Sequence, residues 1–532
     1  MPHSIHAREP SGGPVAAAID RSPEVIGAHL EDAAHFPGGR ADGVARPTTE
    51  GEVAGLLIAA THVLPIGAQS SVTGGATPTG GLLISSGRFT GIESTGPHHV
   101  RVGAGVPLDT LQMRLAERGC WYPPTPTFMG AFVGGVVATN AAGAATFKYG
   151  TTRAWVDGLT VVLPCGHVLD LVRGQVRANS NREFEIICPH GTRRFQSGSY
   201  VMPAVPKCSA GYFAAPGMDL IDLFIGAEGT LGVIVDATLR VAGSIPARAM
   251  AMVPVQTEAA GLALVRDLRS AAEATWRMRD PQGLDVAAIE HLDRRCLDVL
   301  REDGALRAQS VAIPDDTSLL LLVQIELPAA TTAAQAFDDI ASASANDRDT
   351  PVARFARMLS QHGVFDRTEL AMPGDTRRMQ QMLAVREAAP TGVNRRVGDA
   401  KRTVDSRIDK TAGDIVVPWD RFEEMMAIYR NGYERRGLDY AIWGHISDGN
   451  VHPNVIPTSY QDVVAGREAI MEFGREAIRL GGSPLAEHGV GRSSLKQQLL
   501  RELYGDEGVE QMRAIKRAID PDAKMSPGVI FQ

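Results

Sequence analysis

PIGAQSSVTGGATPTGGLLIS, residues 65–85, is the stretch whose reading decides the fold. Val63 to Ile66 is a short apolar strand, residues 67–81 are mostly glycine, serine, threonine and alanine, and LLIS opens a second strand. This is a strand, glycine-rich loop, strand order, and not the strand, loop, helix order of a dinucleotide βαβ unit. The run of small residues from Ile66 to Gly75 lets successive backbone N–H groups converge on an anion, for which a pyrophosphate is the natural guest. Taken alone, the loop reads equally as a plain glycine-rich turn. Upstream, Thr49 and Glu52 form a capping box, and Val53, Leu56, Leu57 and Ala60 an apolar helical stripe, so a helix feeds the first strand.

Working outward, 532 residues exceed a single core, so two or three domains that share a cleft are expected. Neither Gly-x-Gly-x-x-Gly nor Gly-x-x-x-x-Gly-Lys-Ser/Thr occurs, which argues against Rossmann and P-loop nucleotide sites. A formal net charge of -8 without a Lys/Arg run argues against nucleic acid or an anionic membrane as the main partner. No stretch approaches the roughly 18 apolar residues of a membrane span, and the first residues lack a signal core. The expectation is a cytoplasmic protein with a loose N-terminal tail, peripheral to a membrane only through an electron acceptor. Cys120, Cys165, Cys188, Cys208 and Cys296 make an odd set with no Cys-x-x-Cys spacing, so neither a disulfide framework nor a zinc ribbon is indicated.

Along the chain we expect an N-terminal extension (1–42), a glycine-rich α+β domain (43–243) with an excursion at about 173–216, and a second domain (244–532). FVGGVVATNAAG reads as short strand and glycine turn, and LLLLVQIEL (319–327) as a buried strand. Asp420 and Glu423 are expected to cap a helix running to about Arg436, stopped by Gly437. No fixed-period repeat appears, which sets aside solenoids and coiled coils.

Next comes WGHISDGNVHPNV, 443–455. Read as a two-residue Asp448-Gly449 turn, it sets Ser447 against Asn450, Ile446 against Val451 and His445 against His452, with Cβ atoms about 5 Å apart. Two neutral imidazoles so placed can ligate one divalent ion, with Asn450 and Asn454 on the same face. The alternative is a surface hairpin whose histidines stack or face solvent, so a third ligand is needed. GGSPLAEHGVGR (481–492) offers Glu487 and His488, and two histidines plus a carboxylate make a facial site with open positions. On its own, Glu-His-Gly is more commonly a capping or solvated segment.

PIGAQSSVTGGA, PPTPTFMGAFVGGVVATNAAGAATFKYGTTR and FIGAEGTLGVI, in that order, resemble the three-part FAD site of the vanillyl-alcohol oxidase and p-cresol methylhydroxylase flavoproteins. GHISDGNVHPN, AEHGVG and IDPDAKMSPG resemble the C-terminal half of the D-lactate dehydrogenase, glycolate oxidase and D-2-hydroxyglutarate dehydrogenase group. The resemblance implies an α+β fold: a two-lobed FAD-binding domain of the p-cresol methylhydroxylase type, then an α+β substrate domain whose antiparallel sheet is covered by helices. The last thirty or so residues would pack back toward the flavin. It assigns FAD to Ile66, Gly67, Ala68, Gln69, Ser70, Gly74 and Gly75, to Pro126, Thr127, Gly134, Gly135, Thr139 and Gly143, and to Glu228, Gly229, Gly232 and Ile234. Gln69, Ser70 and Ser71 stand where some relatives carry a flavin-linking histidine, so the implied FAD is non-covalent.

By the same resemblance His445, His452 and Glu487 hold a divalent metal, zinc by preference, His488 is the catalytic base, and Asn454 contacts substrate. Arg386 in LAVREAAP would grip the substrate carboxylate, since a planar guanidinium suits bidentate binding; a structural salt bridge is the competing reading. Lys410 is a weaker candidate. Ser447, Val136 and Ser526 depart from the usual pattern. The implied reaction is oxidation of a D-2-hydroxy acid such as D-lactate, glycolate or D-2-hydroxyglutarate to the 2-oxo acid. Electrons would pass to a cytochrome, a quinone or an electron-transfer flavoprotein, and a homodimer is compatible with it. Two alternatives share the fold: an alkyl-dihydroxyacetonephosphate synthase-like transferase, against which AEHGVG speaks, and a phenolic-alcohol oxidase, which needs no metal.

Overall fold

The structure, a computed structural model, describes residues 2–343 and 349–531. The chain forms two compact units: one made of the chain up to Gly143, Gly150–Gly243 and Ser483 onward, the other of Ala144–Tyr149 and Ser244–Gly482.

In the first unit, Val63–Ile66 and Leu82–Ser85 are parallel neighbours in a four-stranded sheet, with Gly43–Ala45 on the far side of Leu82–Ser85 and Ile19–Asp20 at the edge. Leu82–Ser85 and Val63–Ile66, the latter at the other edge, are nearly all buried, as their unbroken apolar sequence requires. Parallel neighbours need a crossover of about a dozen residues or more, usually a helix. Here residues 67–81 make the crossover as a glycine-rich loop, which leaves backbone on display. The feeding helix is Glu50–Ala59; the Thr49 hydroxyl accepts from the N–H of Glu52, while the Glu52 carboxylate accepts from Thr48 one residue outside the expected box.

An antiparallel five-stranded sheet follows, ordered Val168–Val172, Val156–Val162, Val233–Arg240, His99–Gly103, Ile92–Gly96. FVGGVVATNAAG contains a short helix, Val133–Ala138, where a strand was expected. Gly134 explains it: its N–H donates to the Ala104 carbonyl, and a Cβ there would stand 2.7 Å from that of Ala104, so only glycine lets this turn sit so close.

The excursion is regular in its first half. Glu183–Cys188 and Gly191–Gln196 form a hairpin, and Ser4–His6 adds to it in parallel, so the N-terminal residues are a strand and not a loose tail. The chain end returns to the first sheet, where the Val63 N–H donates to the Lys524 carbonyl at 2.8 Å and the Ser526 N–H to that of Val63 at 2.7 Å.

The second unit is a seven-stranded antiparallel sheet ordered Glu369–Ala371, Ala247–Val255, Leu319–Leu327, Asp285–Asp293, Tyr440–His445, Asn450–Val455, Ile415–Val416. One face packs on helices Arg294–Glu302 and Thr376–Thr403 through Leu292, Leu320, Leu322, Leu297, Leu300, Val385 and Trp443. Helix Phe422–Glu434 starts after a single 3₁₀ turn at Trp419–Arg421, and no side chain caps it. Glu423 therefore stabilises the first turn through the helix dipole and not as a cap.

The hairpin register differs from the expected one. Ile446–Asp448 form a 3₁₀ turn closed by Gly449 in the left-handed region, so the loop has four residues and His445 faces Asn450 while Trp443 faces His452. The two histidines stay on one face as diagonal neighbours, because side chains two apart along a strand point the same way. A Cβ on Gly449, at φ 77, would stand 2.3 Å from the Val417 carbonyl oxygen. Gly449→Ala is expected to cost at least on the order of 1–3 kcal/mol, read as a lowered midpoint in denaturant unfolding; an unchanged midpoint would contradict this turn.

Candidate active site

Ile66, Gly67, Ala68, Gln69, Ser70 and Gly75 from the first loop, Pro126, Thr127, Gly134, Gly135 and Thr139 from the second segment, and Glu228, Gly229, Gly232 and Ile234 from the third line one cavity of about 370 Å³ in the first unit. Glu487 and His488 line it too. Gly74 and Gly143 do not. Gly74 turns against the ring of Phe36, and Gly143 packs against the Thr125 carbonyl, where a Cβ would come within 2.2 Å. Ser71 also lines the cavity, as do Val72, Phe132 and Leu231, which lie inside the quoted segments but were not singled out.

The shape suits FAD. The walls are small residues, and a Cβ on Gly135 would meet nothing within 4 Å, so a flat ring can lie against bare backbone there. Beneath the first loop the buried Arg492 guanidinium lies 3.4 and 3.5 Å from the carbonyls of Gly74 and Gly75, its pKa pushed down to about 10 by burial. A fixed cation under a backbone loop favours an anionic guest.

Residues 487–492 are held by hydrogen bonds to these loops and by an ion pair to the excursion. The Glu228 carboxylate accepts from the N–H groups of Val490 and Gly491, each at 2.8 Å. Burial raises its pKa, and those two bonds act the other way. Both of its oxygens are thus directed at backbone. The Arg492 N–H donates to the Thr73 carbonyl at 3.0 Å, and Gly491 is glycine of necessity, since a Cβ would fall 2.2 Å from the Thr73 hydroxyl. Glu487 forms an ion pair at 2.7 Å with Lys207, whose side chain is fully buried. Sequence reasoning missed Lys207, which the excursion supplies; the Ser209 N–H, two residues on, donates to Leu485 at 3.1 Å. His488 is partly exposed, with Nε2 3.6 Å from the Glu487 carboxylate.

In the second unit, His445 and His452 are buried with ring centroids 5.8 Å apart and planes near perpendicular. Each presents Nδ1 to a carboxylate: His445 to Glu290 at 3.1 Å, His452 to Asp414 at 3.6 Å. That orientation favours Nε2 as the ligand atom, the arrangement in which a carboxylate orients a metal-binding histidine. The other Glu290 oxygen accepts from Arg386 at 3.1 Å. Burial pushes the Glu290 carboxyl up, but Arg386 and His445 outweigh it and hold the pKa at about 2. Asn454 Nδ2 donates to the His452 carbonyl, and its buried Oδ1 has no hydrogen-bond partner among the described residues. The donor set fits a divalent ion of the zinc class. Glu290 and Asp414 were missed; a glutamate inside the apolar run DVAAIEHLD was the available signal. Lys410 is exposed.

The family model for the C-terminal domain of FAD linked oxidases matches residues 255–530, more than half of the chain, and that for an FAD binding domain matches 41–171. The chain belongs to the FAD-linked oxidases. It is an FAD-linked oxidoreductase, and the resemblance read from the sequence holds, as does the α+β fold. This FAD-linked oxidase is 27% identical over 485 residues to D-2-hydroxyglutarate dehydrogenase of Xanthomonas citri pv. viticola, covering 89% of the chain and 84% of the relative. It is 26% identical to D-lactate dehydrogenase of Archaeoglobus fulgidus, covering 92% and 91%, and 26% identical to glycolate oxidase subunit GlcD of Bacillus subtilis, covering 92% and 89%. Among solved structures, alkyldihydroxyacetonephosphate synthase aligns over 96% of the chain and 82% of its own at a TM-score of 0.57 and 14% identity, a likeness of fold. Among the described residues of the oxidase, no helix is long and apolar enough to cross a membrane.

Removing one partner of a buried ion pair leaves the other charge uncompensated, at a cost of about 3–5 kcal/mol. Lys207→Met should lower stability by that much, measured by urea unfolding of the flavin-loaded protein; a loss under about 1 kcal/mol, the level of a surface pair, would mean Glu487 is held by other contacts.

Proposed function

We propose that this FAD-linked oxidase converts a D-2-hydroxy acid to the 2-oxo acid. The observation that carries the reading is that His488 and Glu487 line the same cavity as the flavin-binding loops, which gives a proton acceptor a place beside the cofactor. The named activities of the D-lactate, D-2-hydroxyglutarate and glycolate relatives support the substrate class.

The three loops would hold FAD non-covalently, which would supply a two-electron acceptor. His445, His452 and Glu487 would hold a divalent metal, which would supply Lewis-acid polarisation. The substrate loses its hydroxyl proton and the hydride on Cα, and the C–O single bond becomes a carbonyl. His488 takes the hydroxyl proton at an imidazole nitrogen. Arg386 binds the carboxylate, while Glu290 fixes the guanidinium and the His445 ring together. Asn454 hydrogen-bonds to substrate through its buried Oδ1. A cytochrome, quinone or electron-transfer flavoprotein then receives the electrons; the yeast relative is named a cytochrome-linked D-lactate dehydrogenase.

Anaerobic bleaching of the bound flavin by a panel of D- and L-2-hydroxy acids, with and without chelator, tests the reaction. D-acids should bleach it and chelation should stop the bleaching. No bleaching by any D-acid would favour a group transfer without net redox. His488→Ala should keep the flavin absorbance and lose about 10²- to 10⁴-fold in kcat, and undiminished turnover would remove His488 from the base role.

A further inference from the structure

Two hairpins of the first unit, from different sheets, meet at their turns. The turn between Val156–Val162 and Val168–Val172 carries Cys165 and His167, and the strand Glu183–Cys188 ends on Cys188, just before the turn into Gly191–Gln196. The N-terminal segment joins them: Ser4–His6 pairs with Glu183–Cys188, and Arg8 bridges to Val168. Where the three segments converge, one ligand atom each of Cys165, His167 and Cys188 lies within 4.8 Å of the others. His167 Nδ1 is 3.2 Å from the Cys165 sulfur, and Nε2 of the same ring is 3.2 Å from a Glu9 oxygen. His167 and Cys188 are buried, and all five cysteines are free thiols.

We propose that Cys165, Cys188 and His167 Nδ1 form a structural metal site of the zinc class, with water as the fourth ligand. Two thiolates and an imidazole are the donors that zinc prefers over hard cations. Tetrahedral zinc, with Zn–S about 2.3 Å and Zn–N about 2.0–2.1 Å, sets its ligand atoms roughly 3.3–3.8 Å apart, which falls within the observed limit. The Glu9 carboxylate at Nε2 fixes the tautomer that leaves Nδ1 to the metal and raises its basicity. Binding deprotonates both thiols and releases two protons, with no change of oxidation state. The ion would tie the N-terminal segment to both hairpins, the second of which leads into the chain that delivers Lys207.

Cobalt(II) added to the reduced, flavin-loaded protein tests this separately from the reaction's own metal, because the latter's proposed ligands contain no sulfur. A thiolate-to-cobalt charge-transfer band saturating at one equivalent is expected, displaced by zinc and absent from Cys165→Ser and Cys188→Ser. Glu9→Gln should keep the band and bind about 10- to 100-fold more weakly. No thiolate band in the wild-type protein, a band that survives in the double serine variant, or a Cys165–Cys188 disulfide that persists in the reduced protein would overturn the proposal. The wild-type titration decides even if a variant fails to fold.

Discussion

The Glu228 carboxylate is the contact on which the cofactor cavity depends. It sits in the third glycine segment and accepts two backbone N–H groups from Val490 and Gly491, more than 250 residues further along. A buried carboxyl costs free energy unless its oxygens are satisfied, and the N–H groups of Val490 and Gly491, each at 2.8 Å, donate to one oxygen apiece. The same contact fixes the segment that carries Glu487 and His488. One side chain therefore ties the cavity wall to the segment of the candidate base, and the glycines around it answer to steric closeness: a Cβ on Gly491 would meet the Thr73 hydroxyl at 2.2 Å, and one on Gly489 would meet Glu228 itself at 3.0 Å.

In the second unit Glu290 does the comparable work with charge. It lies in a strand that is otherwise apolar, between Arg386 on a helix and His445 on the neighbouring strand. Of the two readings of Arg386, the ion pair is present, and it leaves room for the proposed substrate-facing role, because a guanidinium has five N–H donors and Glu290 engages one nitrogen of it. Pairing also makes the burial affordable to the fold, since an unpaired Arg386 or Glu290 at this depth would be strongly destabilising.

How much of this could be read in the sequence follows from what periodicity and local spacing encode. Val63–Ile66, Leu82–Ser85 and Leu319–Leu327 fall where their apolar runs predict, because buried strands have to be apolar throughout. The hairpin was legible as a hairpin, but its register was not: Asp-Gly signals a turn, and it took the 3₁₀ geometry of Ile446–Asp448 to add two residues to the loop. FVGGVVATNAAG misled because β-branched residues favour strands, while the segment forms a helical turn in which Gly134 packs directly on Ala104. Lys207 and Asp414 were invisible as site residues because each meets a partner at least 38 residues away, a separation no local pattern carries, and for Glu290 the only local signal was a carboxylate inside an apolar strand. The Cys165, His167 and Cys188 cluster has the same character: its ligands stand on two hairpins that only the fold brings together.

This division of labour has a consequence for assembly. The first unit is made of both ends of the chain, and its cavity is finished only when the segment after Ser483 docks on loops that precede it by hundreds of residues. Loop-closure entropy grows only logarithmically, about 0.6 kcal/mol per doubling of length, so the long detour through the second unit costs little in stability. It costs more in folding rate, since non-local contacts must form before they are rewarded. A cofactor that binds only the closed cavity adds its binding free energy to the native state by mass action. The docking of Val490 and Gly491 on Glu228 and the binding of FAD are then coupled steps, and the loops that form the cavity are stabilised by the guest they hold.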